Sequence, residues 1–177
     1  MANILSCPIP NNINPLSPNG FQFSVVRLPE LSYFCQEASI PGITLGSPDF
    51  ATPFSNKAIA GEMLTFDQLT VQFLVDQEMA NYKGIWNWMI GLGFPEDYQQ
   101  YIDFQNTNTT PLLSEMSKNY SGGFLQVLNA NNASVQTIEF IDLFPISLNA
   151  LTFQSTSQDV QYIVGQATFK YDYYKFV

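Results

Sequence analysis

The side chains in this chain best suited to acid–base work are carboxylates, and two pairs stand out by spacing: Glu96 with Asp97, and Glu139 with Asp142. Paired acids hydrolyse glycosides when one carboxyl protonates the leaving oxygen and the other activates water or attacks, so both must face one substrate. Side chains alternate across a strand. On a regular strand Glu139 and Asp142, an odd number of residues apart, therefore fall on opposite faces and do not converge. Structural or solvated acids are the expected reading of both pairs, and a hydrolase ranks last among the functional readings.

Other chemistry is excluded more firmly. The chain has no His, so Ser-His-Asp and Cys-His nucleophiles, the usual zinc sites and an imidazole pH switch are all ruled out. Cys7 and Cys35 are the two cysteines; neither lies in a Cys-x-x-Cys motif, and Cys35 within Tyr33-Phe34-Cys35 reads as a small buried apolar residue. No Gly-x-Gly-x-x-Gly follows a strand and no Gly-Lys-Ser/Thr phosphate loop occurs. Gly91-Leu92-Gly93 ends a helix, the wrong polarity for holding phosphate. No calcium-loop pattern appears. No catalytic residue, cofactor or metal is expected.

The elements that would have to position a site are mostly strands. Leu69, Val71, Phe73 and Val75 alternate with Thr70, Gln72, Leu74 and Asp76, which predicts a strand with one apolar face. Met79, Tyr82, Ile85, Trp86, Met89 and Ile90 then recur at helical spacing, with Asn81, Lys83 and Asn87 off the stripe. Asp76 is placed to act as N-cap or first-turn carboxylate, and Gly91, Gly93 and Pro95 to stop the helix. Phe73, Ile85, Trp86, Met89 and Phe169 are the expected core, with Trp86→Ala expected to cause misfolding.

Upstream, Phe21 to Leu28 and Leu31 to Ile40 read as two strands. Residues 1–20, with four prolines, read as a contact arm, and 21–177 as one β domain. Within that domain, 48–61 is a projecting loop or irregular hairpin whose Phe50, Phe54 and Ile59, with Met63 just beyond, suit docking on a partner as well as covering their own core. Glu96 to Phe104 reads as a short helical turn and 105–122 as a polar insertion. Phe124–Leu128 and Ser134–Leu143 form a hairpin around Asn129–Asn132. Pro145 is expected to break that second strand, and Val160 to Phe176 to form a long closing strand.

Only 12% of residues are charged, so much of the surface is expected to be covered by partners. Fifteen acids against six bases, a net charge of -9, argue against a surface that grips nucleic acid. The same balance suits a conduit through which DNA slides. The start of the chain lacks a secretory pattern and no window approaches the length of a membrane span, so synthesis and retention in a reducing cytoplasm are expected.

The run Leu69–Asp76 followed by Asn81-Tyr82 and Trp86-Asn87-Trp88 resembles the strand-to-helix unit of contractile bacteriophage tail tube proteins and their baseplate tube-initiator relatives. Phe144–Leu148, Leu151–Phe153, Asp159–Gln161 and the closing strand through Tyr174 look like the C-terminal part of that group, and Asn19–Phe23 with Ser39–Ile43 like its start. The resemblance spans most of 19–104 and 123–176 and carries no chemical signature.

It implies a mainly β, α+β fold: an antiparallel, barrel-like or sandwich-like tail tube fold with one helix on the sheet, forming rings. By implication the partners are copies of itself in stacked hexameric rings, sheath and baseplate proteins, and DNA passing unbound through the lumen of a virion tail assembled in the host cytoplasm. Pro48, Asp49, Phe50, Phe54, Lys57, Ile59, Tyr171 and Tyr173 are the candidate subunit contacts. A baseplate initiator ring is the alternative, and a monomeric β-sandwich binding module the second alternative.

Overall fold

The computed structural model describes residues 15–107, 118–155 and 162–177. Most of the N-terminal arm and residues 108–117 of the insertion lie outside them, as do 156–161 at the expected start of the closing strand.

The fold is mainly antiparallel β, as expected, but the described residues hold three helices rather than one, the turn expected at Glu96 to Phe104 being a full helix. In chain order it comprises β1 (Phe21–Val25), α1 (Pro29–Phe34), β2 (Cys35–Ala38), β3 (Ile43–Leu45), β4 (Asp49–Ala51), β5 (Asn56–Ala58), β6 (Leu64–Phe66) and β7 (Leu69–Leu74). Then follow α2 (Ala80–Gly93), α3 (Tyr98–Thr107), β8 (Ser121–Leu128), β9 (Ser134–Leu148), β10 (Val164–Lys170) and β11 (Tyr173–Phe176). The main sheet runs β1-β8-β9-β10-β7-β2, with β11 also on β9; β3-β6 and β4-β5 are separate two-stranded ladders.

β9 organises this sheet. Its first half pairs with β8 on one side and β11 on the other, and its second half with β10. The change of neighbours coincides with a bulge, because Asp142 adopts a left-handed backbone with φ 55°. Opposite it, Gly123 pairs with Phe140 and Ser121 with Leu143, so the bulged strand carries the extra residue. The bulge shifts the phase of alternation, and Phe140 and Leu143 are both fully buried despite odd spacing.

Parity therefore does not separate Glu139 from Asp142, since the strand expected to be regular is not. Pro145 does not break β9 either. It lies beyond the last β8 pair, Ser121 with Leu143, where β9 keeps only the β10 neighbour, so an absent N–H is tolerated. The expected long closing strand is instead two strands, β10 and β11, which meet different stretches of β9.

The β8–β9 hairpin forms as expected. Asn132 takes φ 57°, and the Asn129 side chain accepts hydrogen bonds from the backbone N–H groups of Asn131 and Ala133 at 2.9 and 3.0 Å. The second upstream strand does not. Pro29 presets the first turn and Glu30 favours the amide end, so Pro29–Phe34 is helical and only Cys35–Ala38 is strand.

Along β7, Leu69, Val71 and Phe73 are fully buried in strict alternation. Gly165 on β10 faces Phe73 so closely that a Cβ would lie 2.7 Å from the ring, which makes glycine necessary there.

Helix α2 lies on this core, turned from the expected orientation. Asn81, Ile85, Trp88 and Gly91 are the buried residues, while Trp86 is 50% exposed and Met89 only partly buried. At about 100° per residue, the stripe 81-85-88 leaves Trp86 on the flank. Asn81 is drawn inward because its amide satisfies backbone: Nδ2 donates to the Leu74 oxygen at 2.7 Å and Oδ1 accepts from the Tyr82 N–H at 2.8 Å. Phe73, Ile85 and Phe169 are core as expected; Trp88 takes the place assigned to Trp86.

Asp76 serves the helix start from outside the cap position, which Met79 occupies at φ 57°; its Oδ1 accepts from the Ala80 N–H at 2.7 Å. Gly91 lets the Phe104 ring of α3 sit directly on α2, where any Cβ would collide.

Candidate subunit interface

Residues Ile43 to Phe66 form one double-laddered arm. At its base β3 pairs with β6, Ile43 opposite Phe66 and Leu45 opposite Leu64. At its tip β4 pairs with β5, Asp49 opposite Ala58 and Phe50 opposite Lys57. Bridging backbone bonds join the ladders: Gly46 N–H to Met63 O at 2.9 Å, Gly61 N–H to Gly46 O at 2.7 Å, and Ile59 N–H to Pro48 O at 3.0 Å. Thr52 and Ser55 close the tip, the Thr52 N–H donating to the Ser55 oxygen at 3.1 Å and the Ser55 N–H to Thr52 Oγ1 at 3.2 Å. Each strand is three residues long because Gly46, Pro48 and Pro53 interrupt pairing.

Such an arm cannot bury its own apolar groups. Phe54 is 98% exposed, Met63 76%, and Phe50, Ile43, Leu45, Ile59 and Leu64 are all exposed. Six of the sequence-derived contact residues, Pro48, Asp49, Phe50, Phe54, Lys57 and Ile59, thus come together on one element. Ile43, Leu45 and Leu64 were not anticipated as part of it. Their signal was the short alternation Ile43-Thr44-Leu45 and Leu64-Thr65-Phe66, too brief to separate from a buried strand.

Tyr171 and Tyr173 lie elsewhere, at the C-terminus. Tyr173 is exposed at the start of β11. Tyr171 is half-buried between β10 and β11, its hydroxyl donating to the Asp67 main-chain oxygen at 2.8 Å and its ring centroid 5.1 Å from that of Phe140. Burial, followed by the charges of Tyr174 and Asp67, raises the Tyr171 pKa well above the ordinary phenol range, so it remains a donor.

Among the described strands, β1, β2 and β11 each have a neighbour on one side only. Glu139 pairs with Lys175 at 2.9 Å. Among the described residues no group of three or more His, Cys, Asp or Glu is arranged to hold a metal. An exposed apolar arm of this kind suits docking on another protein surface.

Relatives of known kind share this architecture. A family model for phage tail tube protein matches residues 9–177. The chain is 26% identical over 143 residues to the tail tube terminator protein of Enterobacteria phage T4, covering 79% of this chain and 74% of that protein. Among solved structures, a chain of the anti-feeding prophage tube-terminating cap matches with a TM-score of 0.58 at 13% identity, covering 99% of each chain. A chain of the 6-fold symmetrised anti-feeding prophage baseplate matches with a TM-score of 0.58 at 13% identity over 93% of this chain and 96% of that one. A chain of an extracellular contractile injection system sheath-tube complex matches with a TM-score of 0.53 at 15% identity over 92% and 91%. These structural likenesses describe the fold, and the match over nearly the whole length describes the family: this chain belongs to the phage tail tube protein family.

Proposed function

We propose that this protein is a ring-forming structural subunit of a contractile phage tail whose ring ends the tube, with no catalytic role. The alignment with the T4 tail tube terminator over 79% of the chain carries this reading. The one-sided strands β1, β2 and β11 support ring closure, because head-to-tail pairing around an axis satisfies their open edges. The baseplate chain of like fold comes from a 6-fold symmetrised assembly, which favours a hexamer. The arm, through Pro48, Asp49, Phe50, Phe54, Lys57 and Ile59, docks on the adjoining ring, and Tyr173 lies at the contact within a ring. The net charge of -9 keeps the lumen from holding DNA in transit.

The family description favours a second reading, a repeated subunit of the tube shaft. Copy number in purified virions separates the two: one ring per tail is expected of a terminator, and many stacked rings overturn that reading in favour of the shaft. A single ring located at the baseplate instead identifies an initiator. Negative-stain images of the purified protein test ring formation itself. A stable monomer with no rings at high concentration overturns the assembly reading and leaves a monomeric binding module.

A further inference from the structure

The arm joins the body through Pro41-Gly42 on one side and Asp67-Gln68 on the other. Neither arm ladder pairs with the main sheet among the described strands, so sheet hydrogen bonds do not set its angle. Both roots are instead held by tyrosines from the C-terminal segment. Tyr174 Oη donates to the Pro41 oxygen at 3.2 Å, just before the arm begins, and Tyr171 Oη donates to the Asp67 oxygen at 2.8 Å, just after it ends. The Asp67 N–H closes the roots on each other by donating to the Gly42 oxygen at 3.0 Å.

Phe66, the last residue of β6, stands 6.2 Å from the Tyr171 ring and 5.6 Å from the Tyr174 ring. Both tyrosines in turn pack on Phe140 of the core, at 5.1 and 5.8 Å between centroids. Phe140 is also the β9 residue opposite Tyr174 in the ladder. The four rings provide apolar contact that tolerates sliding, whereas two directional hydroxyl bonds to opposite roots do not.

We propose that Tyr171 and Tyr174 are positioning residues whose hydroxyls clamp the two roots of the 43–66 arm and fix the direction in which its tip meets a partner subunit. This rests on reading the arm as the docking element. Neither tyrosine needs to touch the partner. Phe at either position keeps the ring against Phe140 and Phe66 and removes only the directional bond.

The test measures the arm itself. In full-length protein with Cys7→Ser and Cys35→Ser, spin labels at Ser55→Cys on the tip and Ala130→Cys in the β8–β9 turn report the tip-to-body distance, with labelled chains diluted in unlabelled protein. The parent is expected to give one narrow distribution, and Tyr171→Phe/Tyr174→Phe one about twice as wide with an unchanged circular dichroism spectrum. An unchanged width overturns the clamp. If the double variant does not fold, each single variant carries the same measurement. Ring assembly on the same samples is a separate readout: a widened arm with normal rings leaves the clamp standing and removes the arm from the docking reading.

Discussion

The indole Nε1 of Trp88 donates to the main-chain oxygen of Asn119 at 3.0 Å, tying helix α2 to the segment that enters β8. The ring is also fully buried and lies 6.5 Å from Phe169 of β10. Trp88→Ala is expected to cost about 3–5 kcal/mol, the range for emptying an aromatic site in a packed core. Trp86→Ala, on the half-exposed flank, should cost under about 1 kcal/mol. Urea unfolding of both variants checks this, and a larger loss at Trp86 would contradict the helix orientation.

Arg27 packs against two aromatic rings. Its guanidinium carbon lies 4.0 Å from the Phe104 ring centroid and 5.0 Å from that of Trp88, and Nη1 donates to the Lys118 oxygen at 2.8 Å. Burial lowers its pKa to about 10, still well above neutral pH, so the cation is retained. Arg27→Met keeps the stem and removes the planar charge. It should destabilise by about 1–3 kcal/mol, the scale of one charge-assisted hydrogen bond with cation–π support. Arg27→Lys should recover only part of that, because an ammonium cannot stack as the planar group does. Thermal unfolding of the two variants side by side is the measurement.

Asp142 holds a left-handed backbone at φ 55° where β9 changes neighbours. A β-branched residue there should cost about 1–2 kcal/mol, whereas Asp142→Gly should be close to neutral or mildly stabilising. Comparing Asp142→Val with Asp142→Gly by denaturant titration separates backbone strain from loss of the carboxylate. Equal losses in the two would mean that the side chain, not the bulge, matters.

Burial pushes the Cys35 thiol up to about 11. The unfolded thiol titrates near 8.5, so between about 8.5 and 11 the folded state binds the proton more tightly. Stability from this site is therefore complete below about pH 8.5 and is lost as pH rises towards 11. In a Cys7→Ser background, native protein should react with iodoacetamide at pH 8 roughly tenfold or more slowly than urea-unfolded protein. Cys35→Ala should flatten the alkaline fall in stability. Equal alkylation rates would show an open thiol.

How far the sequence reached depends on the range of the forces involved. The β7 alternation and the Asn-rich turn before β9 were legible because each is set by residues within one turn or one strand; the glycine stop expected for α2 is not what ends it, since Gly91 and Gly93 lie within the helix and Phe94 takes the positive-φ cap at 29°. The irregularity of 48–61 was legible from local residues too, since Pro48, Pro53 and Gly46 bar a regular inner strand, whereas the outer ladder of Ile43–Leu45 with Leu64–Phe66 was not. The helix face was misjudged at Trp86 and Asn81, because hydropathy alone sends an Asn outward. The Leu74 carbonyl that accepts from Asn81 belongs to another element. Pro145 was misjudged likewise, as its cost depends on whether a neighbouring strand needs its N–H, which only the sheet order tells.

Local sequence thus determined the strand-rich class and the absence of histidine chemistry. Packing decided the rest. The bulge at Asp142 rotates the second half of β9 so that Phe140 and Leu143 share a core, and the tyrosines brought to Pro41 and Asp67 lie more than a hundred residues further along the chain. Contacts at that separation arise from the shape of the whole sheet, which no local pattern of side chains encodes.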